Sequence, residues 1–231
     1  TTGSYNVALG SFALSAEDGN GRNVAIGRYA LKDLNAGADA YNTAVGFNSG
    51  QALTTGLQNT LIGGLAGDAL TEGNYNVAIG YLALSTEDAH GRNVAIGRHA
   101  LKNQNAGADA YNIAIGYASG EAITTGTQNL LIGGFAGDAL TEGNTNVALG
   151  YAALSTETLG DRNVAIGFGS LFTQNNTSDT DAYNVAVGYD AGNDVTTGVQ
   201  NTIIGGLAGD ALTTGSYNVA LGYNALSSED A

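Results

Sequence analysis

The chain has no cysteine, proline, methionine or tryptophan, and only seven lysines and arginines stand against 21 acids in 231 residues. Without cysteine, neither disulfides nor thiolate metal sites hold it together. Without proline, no residue lacks a backbone donor, which suits uninterrupted stacking of chain on chain. A formal net charge of −14 withholds the basic footprint that nucleic acid or an anionic membrane needs, so neither is expected as a partner. No apolar run approaches the roughly 18 residues of a membrane span. What the chain has in excess is glycine, 36 residues of it, which rules out a helical repeat.

The informative feature is a motif: Asn, three mostly apolar residues, then Gly. It occurs thirteen times, with Asn6, Asn23, Asn42, Asn59, Asn76, Asn93, Asn112, Asn129, Asn146, Asn163, Asn184, Asn201 and Asn218 at its head. The gaps are 17, 19, 17, 17, then the same again, then 17, 21, 17, 17. Four motifs therefore make a super-repeat, over about 6–75, 76–145 and 146–217, followed by a partial fourth. Repetition at this period describes stacked coils and not a globule. Seventeen residues are too few for two helices and a turn, but they suit one coil of a parallel β-solenoid with short strands between Gly, Asn, Asp and Thr turns. Thirteen coils at about 4.8 Å each give a rod of roughly 60 Å, read as one repetitive domain over 1–231 and as a piece of a longer fibre.

In a stack, each position of the coil becomes a column. The residues one and three places after the Asn are Val, Ile, Leu or Thr throughout, and are expected to share a strand face as the interior seam. The residue between them faces the other way: Ala8, Ala25, Ala44, Leu61, Ala78, Ala95, Ala114, Leu131, Ala148, Ala165, Ala186, Ile203 and Ala220. A strand that is apolar or small on both faces is covered on both. The second column is therefore expected to meet copies of the same chain, as a homotrimer. Where it carries Leu61, Leu131 or Ile203, Gly64, Gly134 or Gly206 follows three places on, which reads as bulk exchanged across a filled interface. The Asn column is expected to form a hydrogen-bonded ladder and to cap turns.

Extra residues fall once per super-repeat, in the loops that hold Asn35 and Asp39, Asn105 and Asp109, and Asn176, Asp179 and Asp181. Insertions in solenoids map to one face, often the binding face, so these are the candidate binding loops. Tyrosines precede many of the motif asparagines or follow the motif glycines, and on a rod such stripes are expected to seal a groove between chains.

The run Asn93-Val94-Ala95-Ile96-Gly97-Arg98-His99-Ala100-Leu101 resembles the head repeats of YadA-like trimeric autotransporter adhesins. Thr55-Gly56-Leu57-Gln58-Asn59-Thr60-Leu61-Ile62-Gly63 is similar to repeat arrays in tailed-phage fibres. The resemblance covers the whole chain and implies a left-handed parallel β-roll wound as a homotrimer. The coils here are longer than those of the adhesin heads, which tilts the expectation toward a fibre.

Sharper chemistry finds little support in the sequence. Ile26-Gly27-Arg28-Tyr29-Ala30 fits an acyltransferase hexapeptide, but Lys32 breaks the pattern at the next face, and the histidines His90 and His99 have Asn20 and Tyr29 as counterparts one super-repeat earlier. Gly63 to Leu70 echoes a calcium nonapeptide but occurs only once in four coils, and the Thr-Thr-Gly sites are too sparse for an ice-binding array. No catalytic, cofactor or metal residue is assigned. The expected function is that of a non-enzymatic structural rod, part of an extracellular fibre or adhesin on a cell surface or virion, that spaces and presents a surface to a receptor or glycan. A self-propagating filament and a carbohydrate-active β-helix are the alternatives.

Overall fold

The computed structural model describes residues 4–19 and 21–228. Among the described residues there is no helix; the chain forms about thirteen coils of a parallel β-solenoid. It divides into two units, Thr1–Asn112 and Ile113–Ala231. The first carries β1 (Val7–Leu9), β2 (Val24–Ile26), β3 (Thr43–Val45), β4 (Thr60–Ile62), β5 (Val77–Ile79) and β6 (Val94–Ile96). The second carries β7 (Ile113–Ile115), β8 (Leu130–Ile132), β9 (Val147–Leu149), β10 (Gly160–Asp161), β11 (Val164–Ile166), β12 (Thr180–Asp181), β13 (Val185–Val187), β14 (Thr202–Ile204) and β15 (Val219–Leu221). Within each unit the three-residue strands pair in parallel, motif against motif. Val24 faces Thr43, Ala25 faces Ala44 and Ile26 faces Val45, and the pattern repeats. Only β10 and β12 stand apart, as a short second sheet.

The structure inverts the expected faces of the strand. Ala25, Ala44, Leu61, Ala78, Ala95, Ala114, Leu131, Ala148, Ala165, Ala186 and Ile203 have no exposed surface, and Ala220 almost none, all inside their own coil. Ala8 is in register with Ala25 on that same side, though exposed in the first coil. This column is therefore lumen and not an inter-chain interface. Val24, Ile26 and their equivalents point outward and are half-exposed. The reason is volume. A coil of 17 residues encloses a narrow space already filled from the opposite wall by Leu31, Leu34, Leu53, Leu70, Leu84 and Leu101, so only a methyl fits on the strand side.

The exceptions confirm the accounting. Leu61 occupies the lumen where Gly50 and Gly67 replace the leucine of neighbouring coils. A β-carbon on Gly67 would meet Leu61 Cδ2 at 2.8 Å, and one on Gly50 would meet Leu61 Cδ1 at 2.6 Å. The space that Leu61 fills is thus matched at Gly50 and Gly67. Gly64 lies elsewhere, under the ring of Tyr81, where an added β-carbon would sit 3.5 Å from Cδ2.

Beyond the strand, each coil turns on residues with positive φ, most of them not glycine. Tyr29 (62°), Leu31 (47°) and Arg22 (65°) represent three columns that hold this conformation from coil to coil. Left-handed backbone costs an L-residue about 1–2 kcal/mol. It is held because it sends successive N–H groups alternately to the two neighbouring coils. Tyr29 donates to Ser11 O at 3.0 Å, and Leu31 donates to Ser49 O on the opposite side at 3.0 Å. The turns thereby join the inter-coil hydrogen-bond network that the strands begin.

Candidate functional site

The largest candidate site is the outward face of the strands. Four columns run side by side on it: the residue before each Asn, the two outward strand residues, and the residue after each Gly. In the first unit they include Tyr41, Tyr75, Val77, Ile79 and Tyr81; in the second, Tyr117, Ile132, Tyr151, Tyr183 and Tyr189. The tyrosines of this face are about half-exposed, as at Tyr81 (47%) and Tyr151 (52%). Isolated apolar side chains on a surface need no explanation, but contiguous apolar columns mark an interaction surface.

The ladder asparagines lie beside this face but inside the coil. Along the ladder the side-chain oxygen accepts the backbone N–H of the Asn one coil on, as where Asn59 N donates to Asn42 Oδ1 at 2.8 Å and Asn76 N to Asn59 Oδ1 at 2.9 Å. The amide nitrogen donates to a turn carbonyl, as from Asn59 to Gly73 O at 2.8 Å. Most of the ladder is thus consumed by holding strand to turn; Asn93, whose Nδ2 is buried without a hydrogen-bond partner, and Asn112, whose Nδ2 donates to Gln104 Oε1 at 2.6 Å, depart from it.

The three loops are tied down. Arg22 Nε donates to Asp39 at 2.6 Å, and Arg92 Nε to Asp109 at 2.6 Å; Arg162 pairs with Asp181 in the same way. The guanidinium of Arg92 sits 5.2 Å from the Tyr75 ring centre and 5.6 Å from that of Tyr111. Asp109 is held below its ordinary pKa by the hydrogen bond from Arg92. Asn35, Asn105 and Asp179 remain exposed, whereas Asn176 is buried. Of the candidate binding residues, Asp39, Asp109, Asp181 and Asn176 therefore anchor their loops.

A group that the sequence reading passed over explains where the long coils fall. In the coil before each of them, Glu17, Glu87 or Glu157 is buried at a lumen position that holds Leu, Ile, Val or Gln in other coils. Glu157 Oε1 accepts from the backbone of Thr158, Leu159, Gly160 and Asn176. Its Oε2 accepts from Gln174 Nε2 and Asn176 Nδ2, each at 2.9 Å. Gln174 Oε1 then accepts from Asn184 of the ladder at 2.9 Å. The carboxylate locks the inserted loop of the next coil to its own. Recurrence of Glu at 70-residue intervals in a column of mostly Leu, Ile and Val was the available signal.

One pocket, of about 320 Å³, opens in the second unit among Tyr151, Ala152, Phe168, Gly169, Phe172, Asp190 and Asn193. The repeat acts as its own control here. Phe168, Gly169 and Phe172 stand where the earlier super-repeats have Arg28, Tyr29 and Lys32, or Arg98, His99 and Lys102. Phe172 is the one apolar residue in a column that is otherwise polar. Two cations are thus exchanged for aromatic rings, and a side chain is removed at Gly169, where a β-carbon would overlap Asp190 Oδ1. The rings of Tyr151, Phe168 and Tyr189 stack at centroid spacings of 5.5 and 5.4 Å.

Acids on the outer turns add a pH response. Burial lifts Asp138 from its ordinary 3.8 to about 6, with the neighbouring Glu121 charge adding to the shift, and burial also raises Asp68. A carboxyl whose folded pKa is raised binds its proton more tightly in the folded state. Its contribution to stability is therefore lost as pH rises from 3.8 to about 6. Asp138→Asn is expected to stabilise the chain at neutral pH by on the order of 2 kcal/mol and to flatten the dependence in that window. Urea midpoints measured from pH 4 to 8 on both chains check this. No protein-family model, curated protein or solved structure matches the chain.

Proposed function

We propose that the chain is a non-enzymatic structural rod that assembles as a homotrimer in an extracellular fibre or adhesin. The observation that supports this reading is the outward strand face, where Val77, Ile79 and their equivalents form columns of Val, Ile, Leu and Thr, with tyrosines recurring on both sides among Arg, Gln and Gly. The lumen is already closed by the alanine column, so the face is not needed to complete the single chain's own core. What remains for it is burial against another copy. Three copies, and a left-handed roll, are favoured by the resemblance to YadA-like head repeats. Parallel strands in register let identical columns meet along their length, so every coil adds the same contact. Such a rod resists bending and dissociation and holds a terminal segment at a distance. The pocket beside Phe168 and Phe172 is a feature it presents on its side.

The test is the mass in solution. Light scattering of the purified chain is expected to give three times the chain mass of 23.1 kDa. Val77→Lys with Ile79→Lys, repeated at Val94 and Ile96, is expected to release folded single chains, because burying four ammonium groups against an apolar face is prohibitive. A wild-type protein that sediments as a monomer would refute the reading. So would a lysine variant that stays trimeric.

A further inference from the structure

The three buried glutamates are not satisfied alike, and Glu87 leaves one oxygen without a hydrogen-bond partner. Glu157 has both oxygens filled, Oε2 by the amides of Gln174 and Asn176. At the equivalent place beside Glu87, Ala106 stands where Asn176 stands beside Glu157. Glu87 Oε1 accepts the backbone N–H of His90 at 3.2 Å, but its Oε2 is buried without a hydrogen-bond partner. Nδ1 of His90 is likewise buried without one, 3.7 Å from Glu87 Oε1. No other super-repeat places a histidine here: the counterparts are Gly160 and Asn20, the latter outside the described residues.

Asp88 completes the group. One donor atom each from Glu87, Asp88 and His90 lies within 4.8 Å of the other two. Asp109, on the next coil's inserted loop, accepts from Gly91 N at 3.0 Å and adds its negative charge beside His90.

We propose that Glu87, Asp88 and His90 bind a divalent transition-metal ion, with zinc as the best match. A tetrahedral zinc shell has metal–donor distances of about 2.0–2.2 Å, which places donors about 3.4 Å apart, so the His90–Glu87 pair needs only a slight closure. One imidazole with two carboxylates is a borderline donor set, suited to zinc and poorly suited to calcium, which takes oxygen alone. Three protein ligands leave a fourth position for water. The ion would sit between Glu87 and His90 and would fasten the turn after Glu87, where the third super-repeat uses backbone donors to Glu157. The site does not depend on the chain being a trimer.

Calorimetric titration of the whole chain with zinc chloride at about pH 7.5 is expected to show one saturable site per chain. Calcium chloride at the same concentration is expected to give none. His90→Asn should abolish zinc binding, whereas His99→Asn, which removes the only other histidine, should retain it. Asp88→Asn, at an exposed position, should weaken binding by at least about tenfold. A wild-type chain without saturable zinc binding overturns the proposal, as does a folded His90→Asn chain that binds as tightly as wild type. Should His90→Asn fail to fold by circular dichroism, Asp88→Asn decides, and an unchanged affinity there rejects the site.

Discussion

Gly80→Ala is expected to lower the unfolding free energy by about 5 kcal/mol or more, enough to leave little folded chain at room temperature. Gly80 follows the Val77–Ile79 strand with φ at +139°, a conformation that L side chains rarely adopt. An added β-carbon would also overlap the carbonyl oxygen of Gly97 and press on the nitrogen of Arg98 at 3.0 Å. That carbonyl belongs to the next coil, so relief requires the two coils to separate, which breaks the bonds of the strand ladder. Gly37 provides the control. Its φ is +68° and nothing lies within 4 Å of an added β-carbon, so Gly37→Ala should cost only about 1–2 kcal/mol. Denaturant midpoints of the two variants measure the difference. A Gly80→Ala chain as stable as Gly37→Ala would mean that the coils are not stacked this closely.

Glu157→Ala is expected to cost about 3–5 kcal/mol, an unusual result for removing an acid from a chain of net charge −14. Repulsion alone argues the opposite sign, since one fewer negative charge should help. Hydrogen bonding decides, because four backbone N–H groups and the amides of Gln174 and Asn176 lose their acceptor inside the fold. Each buried donor left without a partner costs about 1–3 kcal/mol, and water reaching the cavity returns part of it. Glu157→Gln separates charge from shape: it keeps one acceptor and should fall between the two. Amide hydrogen exchange at Gly160 and Asn176 reports the same event locally, with protection falling in Glu157→Ala if the carboxylate fastens the 175–181 loop.

Much of the architecture follows from the motif itself. Thirteen Asn–Gly motifs at nearly fixed spacing dictate stacked coils, parallel strands and alignment of like with like, and Ala25 opposite Ala44 is the direct consequence. The loops of the long coils could likewise be placed by counting. Their chemistry could not. Asp39, Asp109 and Asp181 look like free acids in the sequence, and only the fold brings Arg22, Arg92 and Arg162 to them across 17 or 19 residues. Glu87 and Glu157 read as surface charges among threonines and glycines, yet the winding of the coil turns both into the lumen.

The sequence by itself determined the period, the parallel register and the apolar character of both strand faces, because a repeat aligned with its neighbour leaves the backbone no other pairing. Which face became lumen was decided by tertiary structure. Alternation in a three-residue strand is symmetric: Val77 and Ile79 could have pointed inward and Ala78 outward with the same local energy. The opposite wall breaks that symmetry. Leu70 and Leu84 already fill the narrow coil, so there is room for the methyl of Ala78 and none for two branched side chains. Positive φ at Tyr29 and Leu31 has the same origin, for no local preference favours it and only bonds to the coils on either side hold it.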